Sequence, residues 1–162
     1  MQGEVVSVER VVPASPGAIF DVLADPAKHP LIDGSGSVKQ AKPGVPQRLS
    51  LGATFGMSMK LGIGYSMVST VTEFEENRRL AWQARPPGLM GRFTGGRIWR
   101  YELEPVDGGT LVRESWDVSQ DSQRFLLKRG RLPHQTEANM AKTLDNLAAL
   151  VGEADPQPPA TG

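Results

Sequence analysis

The chain contains no cysteine, which removes disulfides, thiolate nucleophiles and cysteine-held metals together. Histidine is nearly as scarce. His29 and His134 are the only two, and neither has metal-ligand spacing to the other or to carboxylates, so no metal site is expected. The serines lack a G-x-S-x-G elbow, and two scattered histidines do not make a triad. Residues 52–64 and 88–96 are glycine-rich, yet neither stretch has the lysine and the strand–turn–helix context of a phosphate-binding loop. They read as bulges and kinks that curve a sheet, and no cofactor is expected. Charge of one sign is also missing. The 18 basic and 18 acidic residues cancel, so no global field favours nucleic acid or an anionic membrane, and no nucleic-acid partner is expected. No apolar run approaches the length that spans a bilayer, so stable membrane insertion is not expected. The start, Met1-Gln2-Gly3-Glu4, has no basic n-region and apolar h-region, which makes a cytoplasmic location the expectation.

What is present is alternation. Trp99, Tyr101 and Leu103 alternate with Ile98, Arg100 and Glu102, and after the Asp107-Gly108-Gly109 turn Val112, Glu114, Trp116 and Val118 alternate with Arg113, Ser115 and Asp117. Period-2 alternation gives each strand an interior face and a wetter one. Earlier, Val5 to Val12 reads as a β-branched strand, and Ser15-Pro16 as an N-cap with proline at the first helical position. Ile19, Phe20 and Leu23 stripe a short helix, and a second helical piece covers Pro26 to Ile32. Strands are expected at 38–42, 48–51, 54–61, 65–75 and 80–84, and residues 86–96 read as a long mobile loop. Met140, Leu144, Leu147 and Val151 form one stripe of a long final helix. Residues 153–162 contain three prolines and no large apolar side chain, so they are expected to be a disordered tail behind a single domain of residues 1–152. A run of antiparallel strands with segregated helices makes the fold class α+β.

Several phrases carry a family resemblance: Val11-Val12-Pro13-Ala14-Ser15-Pro16, Phe20-Asp21-Val22-Leu23-Ala24-Asp25-Pro26, His29-Pro30 with Ile32-Asp33-Gly34-Ser35, Glu73-Phe74 with Arg79-Leu80-Ala81-Trp82, and Asn139-Met140-Ala141 with Thr143-Leu144-Asp145-Asn146-Leu147. Over nearly the whole chain up to Val151 it resembles the START-like, or polyketide cyclase/dehydrase and lipid-transport (SRPBCC), superfamily, particularly its small actinobacterial members. The resemblance implies a helix-grip fold: a curved antiparallel sheet of about seven strands, two short helices after the first strand, and a long C-terminal helix closing the sheet over a cavity. It also implies a hydrophobic ligand, with cyclisation or dehydration in some members. Such chemistries share a shape rather than a portable signature, so function is argued from the site.

Glu114 is the sharpest candidate, an inward carboxylate among apolar neighbours whose burial would raise its pKa toward acid–base use. The bland reading is a carboxylate held by an arginine, with Arg97 and Arg100 as partners. Tyr101 and His29 are candidates to move protons with it; the bland reading of His29 is a surface loop histidine, and of His134 a structural or exposed one. Trp82, Trp99, Tyr101 and Trp116 suit the lining of a ligand pocket, or ordinary core. Phe55, Met57 and Met59 on one strand face, with Met140 and Leu144 on the helix, extend that lining, and methionine tolerates varied shapes. Arg124, Lys128, Arg129 and Arg131 form a basic cluster, read as a rim for an anionic group or as a solvated face. Three readings follow. The first is a non-catalytic protein binding a lipid, polyketide or aromatic metabolite as monomer or homodimer. The second is a polyketide cyclase, aromatase or dehydratase using Glu114. The third is an interaction module presenting Leu89, Met90 and Phe93.

Overall fold

The computed structural model describes residues 3–61 and 63–154. Among these, seven strands form one antiparallel sheet: β1 (Val5–Val12), β2 (Val38–Ala41), β3 (Thr54–Leu61), β4 (Ile63–Glu75), β5 (Arg79–Arg85), β6 (Arg97–Val106) and β7 (Gly109–Asp117). Their spatial order is β1-β7-β6-β5-β4-β3-β2, so six strands meander and β1 closes onto β7. Between β1 and β2 lie α1 (Pro16–Leu23), a 3₁₀ turn (Pro26–Lys28) and α2 (His29–Ile32); α3 (Arg124–Leu127) and α4 (Leu132–Ala154) follow the sheet. This is the helix-grip α+β architecture. Among the described residues, no helix is long and apolar enough to cross a membrane.

Local chemistry sets the boundaries. The Ser15 hydroxyl accepts from the Ala18 N–H at 3.2 Å and Pro16 occupies the first turn, so α1 starts there. A two-residue turn at Asp107-Gly108 then fixes the β6–β7 register, with Val106 opposite Gly109 and every later pair counted from it. α4 crosses β1 and packs on α1 and α2. Beneath it Val12, Ile19, Phe20, Leu23, Leu80, Val112, Leu144 and Leu147 are each no more than 1% exposed. Burial of each such side chain contributes about 1.5–3 kcal/mol. The opposite sheet face is charged, with Arg100 bonded to Glu73 at 2.6 Å and Arg113 bridging Glu9 and Glu102.

Two expected elements differ. Residues 48–51 form no strand; the Leu49 N–H donates to the Ala24 carbonyl at 2.7 Å, and the side chain is a buried plug beside α1. The 86–96 segment contains a 3₁₀ turn (Gly88–Arg92). α4 runs to Ala154, and the tail expected beyond it, residues 155–162, lies outside the described residues.

Candidate functional site

Two rows of side chains cross the sheet face beneath α4. In one row Val6, Trp116, Trp99, Trp82 and Val71 are successive cross-strand partners. Two residues along, Val8, Glu114, Tyr101 and Leu80 form the second. Directly opposite residues on one sheet face are close enough to interact, and here the pair is polar. The Tyr101 hydroxyl donates to Glu114 Oε1 at 2.8 Å, while Glu114 Oε2 is buried with no partner. Burial pushes the Glu114 carboxyl up to about 8; the Tyr101 bond opposes this, and the Asp33 charge adds to it. The Tyr101 phenol is raised for the same reasons, burial first and then Glu114 and Asp33. At neutral pH the site is therefore an uncharged phenol beside an uncharged carboxylic acid with one hydrogen-bonding atom spare.

On the Tyr101 side of this pair stands an aromatic box. The His29 ring stacks on Trp82 with centroids 5.1 Å apart, and Phe55 sets its edge against both, at 5.4 and 5.6 Å. Tyr101 lies 5.6 Å from Trp82. His29 is buried rather than on a surface loop, because α2 turns it inward, where Nε2 sits 2.8 Å from the Leu23 carbonyl. A carbonyl only accepts, so Nε2 carries the hydrogen; burial lowers the ring's pKa and holds it neutral.

The structure thus brings together His29, Phe55, Trp82, Tyr101 and Glu114. Met57 and Leu144 are buried in the same core, with Met59 packed against it. Trp99, Trp116 and Met140 stand apart, in a smaller cluster with Val118 and Leu127. Neither candidate arginine reaches Glu114: Arg100 lies on the outer face with Glu73, and Arg97 bonds Asp121 at 3.2 Å. His134 is exposed, 3.8 Å from Glu137. Side chains fill the space beside the pair, since Phe55, Met57, Tyr101 and Glu114 are all no more than 5% exposed. A surface cleft of about 370 Å³ lies elsewhere, lined by Thr70, Thr72, Gln83, Arg85 and residues 86–88.

Asp33 is the contributor that the sequence did not single out. Its carboxylate accepts from the Ser35 N–H at 3.1 Å, the Ser35 hydroxyl and the Val38 N–H at 2.8 Å. The Asp33-Gly34-Ser35-Gly36 turn was visible. That the turn folds over the sheet was not, because its anchor is the distant Gly34 N–H to Thr143 Oγ1 bond, at 3.0 Å.

Comparison with known proteins agrees with this fold. The family profile described as polyketide cyclase / dehydrase and lipid transport matches residues 4–152. The uncharacterized protein Rv0088 of Mycobacterium tuberculosis is 35% identical over 113 residues, 68% of this chain and 45% of that protein. The chain thus spans about half the length of the curated relatives it matches. Among solved structures, protein CV1439 of Chromobacterium violaceum superposes with a TM-score of 0.70 at 17% identity, covering 91% of this chain and 96% of that one. The AHSA1-like protein of Aeromonas hydrophila gives 0.64 at 21% identity, covering 93% and 92%. At such identities the structural likeness establishes the fold alone.

Proposed function

The chain belongs to the polyketide cyclase / dehydrase and lipid transport family, and on that premise we propose that it binds a hydrophobic small molecule carrying one polar group, received by Glu114 and Tyr101. The single observation that carries the reading is the spare Oε2 of Glu114, buried without a partner beside Tyr101, whose ring in turn meets Trp82. An uncharged carboxyl group both donates and accepts, so one ligand carbonyl or hydroxyl would complete its hydrogen bonding. Leaving that atom unmade costs about 1–3 kcal/mol. The surrounding rings and methionines suit a flat or flexible apolar body such as a lipid, polyketide or aromatic metabolite. Because side chains occupy this space, entry requires Trp82, Phe55 and Met57 to shift, and the ligand's apolar surface replaces theirs.

One observation also favours a second reading, an acid–base enzyme of the cyclase or dehydratase type. A carboxyl poised at about 8, bonded to a phenol, can give up and recover a proton near neutrality. One experiment addresses both. Native mass spectrometry of freshly purified protein, followed by organic extraction, is expected to release a defined apolar compound with one polar group, and Glu114→Gln is expected to weaken its retention. Conversion of that compound by wild type and not by Glu114→Gln would establish the enzyme. An empty protein that also ignores a broad hydrophobic panel overturns the binding reading.

A further inference from the structure

The most exposed large apolar side chains of the described residues fall mostly on two neighbouring segments. Among the described residues, seven large apolar side chains are more than 60% exposed, and five of them are Leu89, Met90, Phe93, Phe125 and Leu126. They sit on two segments, 86–96 and 119–131, that the fold ties together. The Ser122 N–H donates to the Gly95 carbonyl at 3.2 Å, and Gly96 lies so close that a Cβ there would meet the Gln120 carbonyl oxygen at 2.4 Å. Leu127 is buried with Trp116 and Met140, which leaves Phe125 and Leu126 on the outer side of α3. Scattered exposed apolar residues are ordinary; five gathered on two joined segments mark an interaction surface.

Charge says what the surface meets. The whole chain is neutral, but residues 119–131 hold Arg124, Lys128, Arg129 and Arg131 against Asp121 alone. Asp121 is itself fully buried and taken by Arg97. Residues 86–96 add Arg92 and no acid. Arg124 and Lys128 share Glu4, whereas Arg92, Arg129 and Arg131 are exposed and pair with no acid among the described residues. Exposed apolar side chains and unpaired arginines on the same two segments match an anionic lipid surface, where apolar side chains enter the headgroup region and each cation gains from the surface potential. A second copy of the chain fits less well, because a two-fold contact would press these arginines against each other.

We propose that the end built from residues 86–96 and α3 docks on anionic lipid bilayers, as a peripheral contact separate from the ligand site and independent of it. The test is co-sedimentation of the full chain with vesicles of phosphatidylcholine alone or mixed with phosphatidylglycerol, at low and high salt. Binding only to the mixed vesicles, weakened by salt, is expected. The pairs Phe93→Ser with Phe125→Ser and Arg129→Glu with Arg131→Glu change exposed side chains, so thermal melts are expected to stay close to wild type. Each pair is expected to lower partitioning by about tenfold or more. Equal partitioning to both vesicles, none to either, or variants that bind as wild type does would overturn the proposal. So would a wild-type dimer that the phenylalanine pair dissolves, which would assign the surface to a second copy.

Discussion

Glu114 occupies a place where either protonation state leaves one oxygen without a partner, and the cheaper state depends on pH. In the unfolded chain its carboxyl ionises near 4.5, and in the fold near 8. Between those limits the native state holds a proton that the unfolded state has released. Stability therefore falls as pH rises, by about 1.4 kcal/mol per pH unit, and levels off once both states are ionised. Glu114→Gln keeps an acceptor for Tyr101 and cannot ionise. Urea unfolding of wild type and Glu114→Gln is expected to show the variant gaining relative stability from about pH 5 to pH 8, then a constant gap. Parallel curves would mean that the carboxyl titrates normally and the site is wetter than its burial implies. The inward carboxylate was legible because alternation alone assigns its face. The Tyr101 contact was also encoded, since a two-residue turn at Asp107-Gly108 places Tyr101 opposite Glu114. Burial of His29 was not, because a four-residue helix carries too little periodicity to say which way it faces.

Between elements, the joint that matters most for the site is the α2 turn against α4. Gly34 lies flat on the helix: a Cβ there would stand 2.1 Å from the Asn139 carbonyl oxygen and 2.6 Å from the Thr143 nitrogen. Backbone atoms in a helix cannot yield as a side-chain tip can. The same joint holds the Gly34–Thr143 bond and an Asn146 Nδ2 bond to the Ile32 carbonyl at 3.2 Å, and it fixes the turn that carries Asp33, whose charge helps to raise the Glu114 carboxyl. Gly34→Ala is expected to cost about 1–3 kcal/mol or more by overpacking. Gly152→Ala, on the same helix with nothing within 4 Å of its added carbon, is expected to be neutral or slightly stabilising by helix propensity. Chemical denaturation of the two variants checks the contrast, and equal effects would refute the close approach. Strong elements such as α4, β6 and β7 were readable from periodicity. The 48–51 segment misled because Leu49 and Leu51 alternate with polar residues as in a strand, whereas only Leu49 is buried and its N–H is spent on Ala24, just after α1.

At the scale of the molecule, the interior divides into two unequal parts. The larger cluster joins α1, α2, the sheet and the C-terminal half of α4; the smaller consists of Trp116, Val118, Leu127 and Met140 with Val6, Val8 and Trp99 against it. α3 is one turn long and buries a single residue, Leu127. So short a helix has no stability of its own, and its order depends on that one side chain. The end that carries the exposed apolar tip is thus also the end least committed to the core, as suits a surface that must adapt to a partner. Leu127→Ala removes the anchor, at a cost of about 2–5 kcal/mol in a packed site. Hydrogen exchange is expected to show α3 amides exchanging at least tenfold faster in this variant, with Leu144 to Val151 of α4 and the β1–β7 pair changing far less. Loss of protection spread evenly over both clusters would mean that the molecule opens as one cooperative unit. The docking end would then share the stability of the whole core, and adaptation there would cost as much as unfolding the ligand site.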